Sequence, residues 1–209
     1  MSVIEQLSTS KGKRSKEINK ELAQSIAAKN NRAAITELAG LLKHQNTNIQ
    51  SDAIEVLYET GYLRPDLIEG HIEDFIELLS GKNNRLIWGA MIALSCISAI
   101  APGKIFDTLS VITEAVENGS VITKDAGVLL FANLAALEPF RQEAFPLLMH
   151  EMSICPPKQL PQYAAKALIA VGDDSREAFL KLIQSRIPEL EKPSQIKRIN
   201  KVLKAIENY

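Results

Sequence analysis

Aromatic side chains are scarce in this 209-residue sequence: they make up 5% of it and include one tryptophan, Trp88. That scarcity argues against the stacking platforms that hold single-stranded nucleic acids. Only two cysteines occur. Cys96 lies in an apolar run and Cys155 precedes Pro156-Pro157, so neither a disulfide framework nor a zinc knuckle is indicated. No Gly-rich phosphate loop, GxSxG elbow or HExxH helix is present, and His44, His71 and His150 are scattered without metal-ligand spacing. Around His71 the acids Glu73, Asp74 and Glu77 fall at the wrong offsets for the Glu-x-x-His pairs of di-metal bundles. No cofactor, metal or catalytic group is expected. An excess of one charge is missing too: 24 Lys+Arg against 25 Asp+Glu leave a net charge of -1, which excludes wholesale coating of nucleic acid.

The N-terminal stretch offers no unbroken apolar segment, because Glu5 interrupts it and the basic residues Lys11, Lys13, Arg14 and Lys16 come afterwards. A secretion signal is therefore not expected, and a cytoplasmic location is. One uncharged run, Leu86 to Gly103, reaches the length of a membrane span. Ser95, Ser98 and the Pro102-Gly103 break mark it instead as a buried helix, so no membrane partner is expected.

What the sequence does contain is helical periodicity almost throughout, cut by Gly, Pro and Asn into segments of roughly 12–18 residues. Every second segment repeats one pattern. Ile49, Ala53, Val56 and Leu57 match Leu86, Ala90, Ala93 and Leu94, then Ile122, Ala126, Leu129 and Leu130, then Leu160, Ala164, Ala167 and Leu168. The alanines step by 37, 36 and 38 residues. A small residue at a fixed place lets paired helices approach, and larger ones a turn later fill the layer between pairs. Such a period predicts an all-α fold of about five helix pairs, a right-handed α-α superhelix. Residues 1–14 are expected as a flexible tail and 15–209 as a single repeat domain.

The apolar-x-x-x-Ala-x-x-(Val/Ala/Leu)-Leu pattern over Asn31 to Tyr209 resembles the HEAT/armadillo repeat superfamily, with Ser15–Ala28 as a half-repeat cap. Pro146, inside a first helix, is similar to the proline kink of HEAT units. The arginine with which HEAT second helices usually open is replaced here by Gln50, Ile87, Thr123 and Pro161, so the resemblance is to a divergent member. It implies a non-enzymatic scaffold that holds a protein or peptide in a concave groove. A second implied reading is a nucleic-acid-binding protein resembling the HEAT-like alkylpurine DNA glycosylases. Asp125 beside Lys124 would then matter, yet no basic stripe runs through the middle repeats.

A helical wheel names the groove residues. With Leu86, Ala90 and Leu94 facing the core, Trp88 and Met91 lie opposite. The equivalent places elsewhere hold Tyr58, Lys124, Phe131 and Gln162, and together these six form the expected partner-binding set. Aromatic anchors beside Lys124 would suit a peptide with an apolar residue next to an acidic one. Gly89 and Gly127 cost a helix interior about 1 kcal/mol each, which close packing or room for a partner must offset. On the last helix Lys197, Arg198, Lys201 and Lys204 form a wet stripe, read as a solubilising cap. It is also the place where a nucleic acid would dock.

Overall fold

The computed structural model describes residues 2–13 and 15–207, and among these there is no strand. Among the described residues thirteen helices follow one another: α1 (Lys16–Lys29), α2 (Arg32–Leu41), α3 (Thr47–Leu63), α4 (Pro65–Ile68), α5 (Ile72–Leu79), α6 (Asn84–Ile97), α7 (Pro102–Phe106), α8 (Leu109–Glu117), α9 (Val121–Ala135), α10 (Glu138–Ile154), α11 (Leu160–Ala167), α12 (Arg176–Arg186) and α13 (Pro193–Glu207). Three of the first-type helices are broken. A 3-10 turn at Glu69–His71 separates α4 from α5, α7 and α8 form one bent arm, and a further 3-10 turn continues α12.

The repeat boundaries have a local cause. Asn31, Asn46 and Asn83 each accept a backbone N–H of the helix they open, from Ala34, Asn48 and Arg85 respectively. Ser120, 37 residues beyond Asn83, accepts from the Thr123 amide. Each such cap contributes about 1 kcal/mol by satisfying an otherwise orphaned donor. At the opposite ends, α3 closes on an exposed aliphatic residue, and α6 and α9 are followed within three residues by one, each two positions before a proline. The three are Leu63 before Pro65, Ile100 before Pro102 and Leu137 before Pro139. Those prolines fall in the first turn of the next helix, where a missing N–H costs nothing.

The chain divides into two compact units, one up to Gly127 and the other from Val128. The division falls inside α9. In the first unit, α3 packs against α1, α2, α4 and α6, while α6 also receives α4 and α5. Ala53 and Ala90 are fully buried and Ala126 nearly so, as the repeat requires. The glycines serve the same packing. A Cβ on Gly89 would lie 2.6 Å from Cγ1 of Ile54 on α3, and one on Gly127 would lie 2.3 Å from Cγ2 of Val116 on α8. Close approach of helices accounts for both, without any appeal to a partner.

Residues 2–13 are not the free tail that their lysines suggested; Met1 and Arg14 lie outside the described residues. Val3, Leu7 and Ser8 are buried, and a 3-10 turn covers Ile4–Gln6. The Glu37 carboxylate accepts the amides of Val3 and Ile4 and the Ser2 hydroxyl, and these bonds hold its pKa below the usual value. Val3 and Leu7, four apart, supply the apolar pair that pins a segment otherwise read by its charge.

The second unit holds α10 to α13, with α11 against α10 and α13. Phe179, Tyr163, Ile183 and Ile199 fill its core, each worth about 1.5–3 kcal/mol on burial. Pro146 sits inside α10 as expected. The uncharged run that raised the question of a membrane ends its helix at Ile97, and among the described residues no helix is long and apolar enough to cross a membrane.

Candidate functional site

The site grows from a buried carboxylate. Glu55 sits on α3 between Ile54 and Val56, and its side chain is 3% exposed. A charge in that place requires donors. Three arrive from three helices or turns. Asn19 Nδ2 of α1 donates to Glu55 Oε2 at 2.9 Å, Arg85 Nη2 of α6 donates to the same oxygen at 3.2 Å, and the Tyr58 hydroxyl donates to Oε1 at 3.4 Å. Asn19 bridges further, donating to Asp52 Oδ1 at 2.9 Å and accepting the Ser8 amide at 3.1 Å. Asp52 Oδ2 accepts the Thr9 amide at 2.7 Å. One polar chain thus ties the N-terminal segment, α1, α3 and α6.

Above this chain stands a run of rings. Tyr58 and Tyr62 meet edge to face with centroids 6.0 Å apart, and Tyr58 lies 5.8 Å from Trp88 across to α6. The Arg85 guanidinium lies over the Trp88 ring, its Cζ 5.0 Å from the centroid, in the attractive range for a cation and an aromatic face. Tyr58 is the buried floor of this run, Trp88 is partly exposed, and Tyr62 is open to solvent at 58%. Burial raises the pKa of the Tyr58 hydroxyl well above its ordinary value. Glu59, one turn from both Glu55 and Tyr62, makes no hydrogen bond or ion pair with another described residue, and burial raises its pKa above the ordinary glutamate value. A cavity of about 550 Å³ opens along the polar side, bordered by Thr9, Lys13, Lys16, Asp52, Glu55 and Arg85.

Of the six residues that the wheel selected, Tyr58 and Trp88 come together as expected. Met91 and Phe131 do not belong to an open face: Met91 is 0% exposed and Phe131 1%. The reason is that α6 is covered by α3, α4 and α5 at once, and α9 is buried around most of its circumference, so neither has a dry side and a wet side to tell apart. Lys124, on α9, is partly exposed and its Nζ donates to the Glu117 carbonyl at 3.2 Å. Gln162 is partly exposed on α11. Sequence reasoning missed Asn19, Asp52, Glu55, Glu59, Tyr62 and Arg85. A signal for Glu55 was available: an acid inside the run Ala53 to Leu57 must be buried with a partner. The α13 cations Lys197, Arg198, Lys201 and Lys204 are exposed, on the face opposite buried Ile199, Val202 and Ile206.

No family model and no curated protein matches the chain. Solved structures do. A designed armadillo repeat protein in complex with the peptide (KR)4 superposes with a TM-score of 0.64 at 15% identity, over 89% of this chain and 86% of the other. A computationally designed armadillo repeat protein for modular peptide recognition gives 0.65 at 16% identity, over 91% and 89%. The chain has the armadillo-like helical-repeat fold. An engineered protein matched over 100% of both chains, with a TM-score of 0.66 at 17% identity, is similar in the same way. At these identities the armadillo likeness concerns the path of the helices. Which residues of an armadillo-like chain act must come from its own side chains.

Proposed function

We propose that the chain is a non-enzymatic scaffold that holds an extended, basic segment of a partner protein on the α3/α6 face of its first unit. The observation that carries this reading is the run Tyr62, Tyr58 and Trp88 beside the half-buried carboxylate of Glu59, which lies within the field of Lys20 and Lys16 but takes no hydrogen bond from a described residue. Rings with exposed edges bind a peptide's side chains at low entropic cost, and a carboxylate next to them that no hydrogen bond engages favours a cation over an acid. This reverses the sign expected from Lys124, whose ammonium is engaged with a carbonyl. The armadillo repeat design bound to (KR)4 supports the same partner chemistry by analogy of fold.

Trp88 is the sole tryptophan, so its emission reports on this face alone. Titration with (KR)4 is expected to give a saturable change that a neutral Gly-Ser peptide of equal length does not. Tyr62→Ala should weaken it by about 2 kcal/mol if Tyr62 is a true anchor, and Glu59→Gln by less. No saturable response, or equal binding of the neutral peptide, would overturn the reading.

A further inference from the structure

Arg85 is held in an unusual way. It makes one hydrogen bond, to Glu55, and rests on the Trp88 ring; the other four of the five donors on a guanidinium make no hydrogen bond to any described residue. Its side chain remains 33% exposed, whereas that of its carboxylate partner is 3% exposed. If Arg85 swings away, Asn19 and Tyr58 still donate to the two oxygens of Glu55, but the carboxylate is left without a counter-charge that an incoming cation would restore. The cavity bordered by Glu55 and Arg85 gives a departing arginine, or an arriving one, room to move.

We propose that Glu55, Tyr58 and Trp88 form a guanidinium-binding subsite that the free protein fills with its own Arg85, and that a partner's arginine enters by displacing it. The cradle suits a guanidinium better than an ammonium. A planar, weakly hydrated cation can lie flat on the indole and reach a fixed carboxylate edge-on, whereas a compact ammonium keeps its water. Arg85 is then a specificity-determining residue. It keeps the cradle closed to weak cations, so that only a segment with further contacts along Tyr62 and Glu59 competes. This rests on the peptide-binding reading for the displacing group, but the subsite is testable without any peptide.

The experiment titrates Arg85→Ala and the unaltered protein with millimolar methylguanidinium, reading Trp88 emission, with methylammonium as the control for charge alone. The variant is expected to show saturable binding at least tenfold tighter than the unaltered protein, and no comparable response to methylammonium. Arg85→Gln leaves an amide within reach of Glu55 and keeps the measurement possible if the alanine variant does not fold; the same gain is expected of it. Adding Glu55→Gln to either variant should abolish the gain. Equal responses of variant and unaltered protein, or equal responses to the two cations, overturn the subsite. A matching titration with (KR)4 separates the two readings. Tighter peptide binding by Arg85→Ala supports displacement, and weaker binding overturns it by making Arg85 a contact. Methylguanidinium binding with no peptide binding to either protein leaves the subsite standing and removes the peptide reading.

Discussion

Two arginines, one in each unit, are built for opposite ends. Arg186 at the end of α12 has a side chain only 10% exposed and spends its donors fully. Nη1 reaches the Met152 carbonyl at 2.8 Å and the Cys155 sulfur at 3.3 Å, Nη2 reaches the Cys155 carbonyl at 2.8 Å, and Nε and Nη2 together grip Glu189. It completes the last carbonyls of α10, which have no helical partners of their own. Arg85 makes one bond and leans on a ring. The number of groups that would be orphaned by removal, more than the burial of the charge, separates an arginine that holds structure from one that can be exchanged.

The largest expected effect tests that contrast directly. Arg186→Ala leaves the Cys155 carbonyl without its donor and the Met152 carbonyl with the Cys155 thiol alone, and should cost about 3 kcal/mol in chemical denaturation, whereas Arg85→Ala, which leaves Glu55 its Asn19 and Tyr58 donors, should cost less, about 2 kcal/mol. Equal losses would break the comparison. Next in size, Ala90→Leu should overpack the layer between α3 and α6 and cost about 1–3 kcal/mol. Gly89→Ala should cost about 1–2 kcal/mol, the gain in helix propensity being outweighed by the contact with Ile54. Either variant should also disturb Trp88, which a shift confined to the second unit would not.

A smaller effect sets two carboxylates against each other. Burial raises the pKa of Glu59, so its charged form carries a folding cost above that pKa which is relieved as pH falls through it. The Arg186 guanidinium lowers the pKa of Glu189, so its contribution is present above the ordinary glutamate range and is lost as pH falls through the depressed value. Urea melts across pH 3 to 7 should show Glu59→Gln gaining on the unaltered protein toward neutrality and Glu189→Gln losing in the same direction. Identical trends would contradict the assignment. Smallest of all, replacing Lys197, Arg198, Lys201 and Lys204 by Gln should change stability by no more than about 0.5 kcal/mol, as for any solvated face.

The repeat was legible because it is written in volume. Alanine at Ala53, Ala90, Ala126 and Ala164 is demanded wherever two helix axes come close, and Asn46, Asn83 and Ser120 mark each start by their capping chemistry. The site was legible only in part. Tyr58 and Trp88 follow from the wheel, but a wheel assumes one neighbour on one side, and α6 has α3, α4 and α5 packed around it. Met91 therefore sits in the core although its angle points away from Leu86 and Ala90. Polar networks are harder still to read, because Asn19, Asp52 and Arg85 look like ordinary surface residues until Glu55 is known to be inside. Their partnership is a matter of three-dimensional distance, which periodicity does not carry.

The junctions at Leu63-Arg64-Pro65, Ile100-Ala101-Pro102 and Leu137-Glu138-Pro139 recur every 37 residues with the same three-part grammar. Each is a place where one module stops and the next begins without a shared side chain in the core. Cut and rejoined at these seams, a 37-residue cassette begins on a proline-led turn and ends on the aliphatic that the next proline expects. Whole modules are therefore the units whose addition or removal this geometry would tolerate. Duplication or loss at a seam would keep the phase of every helix, whereas the same insertion a few residues away would shear the alanine register.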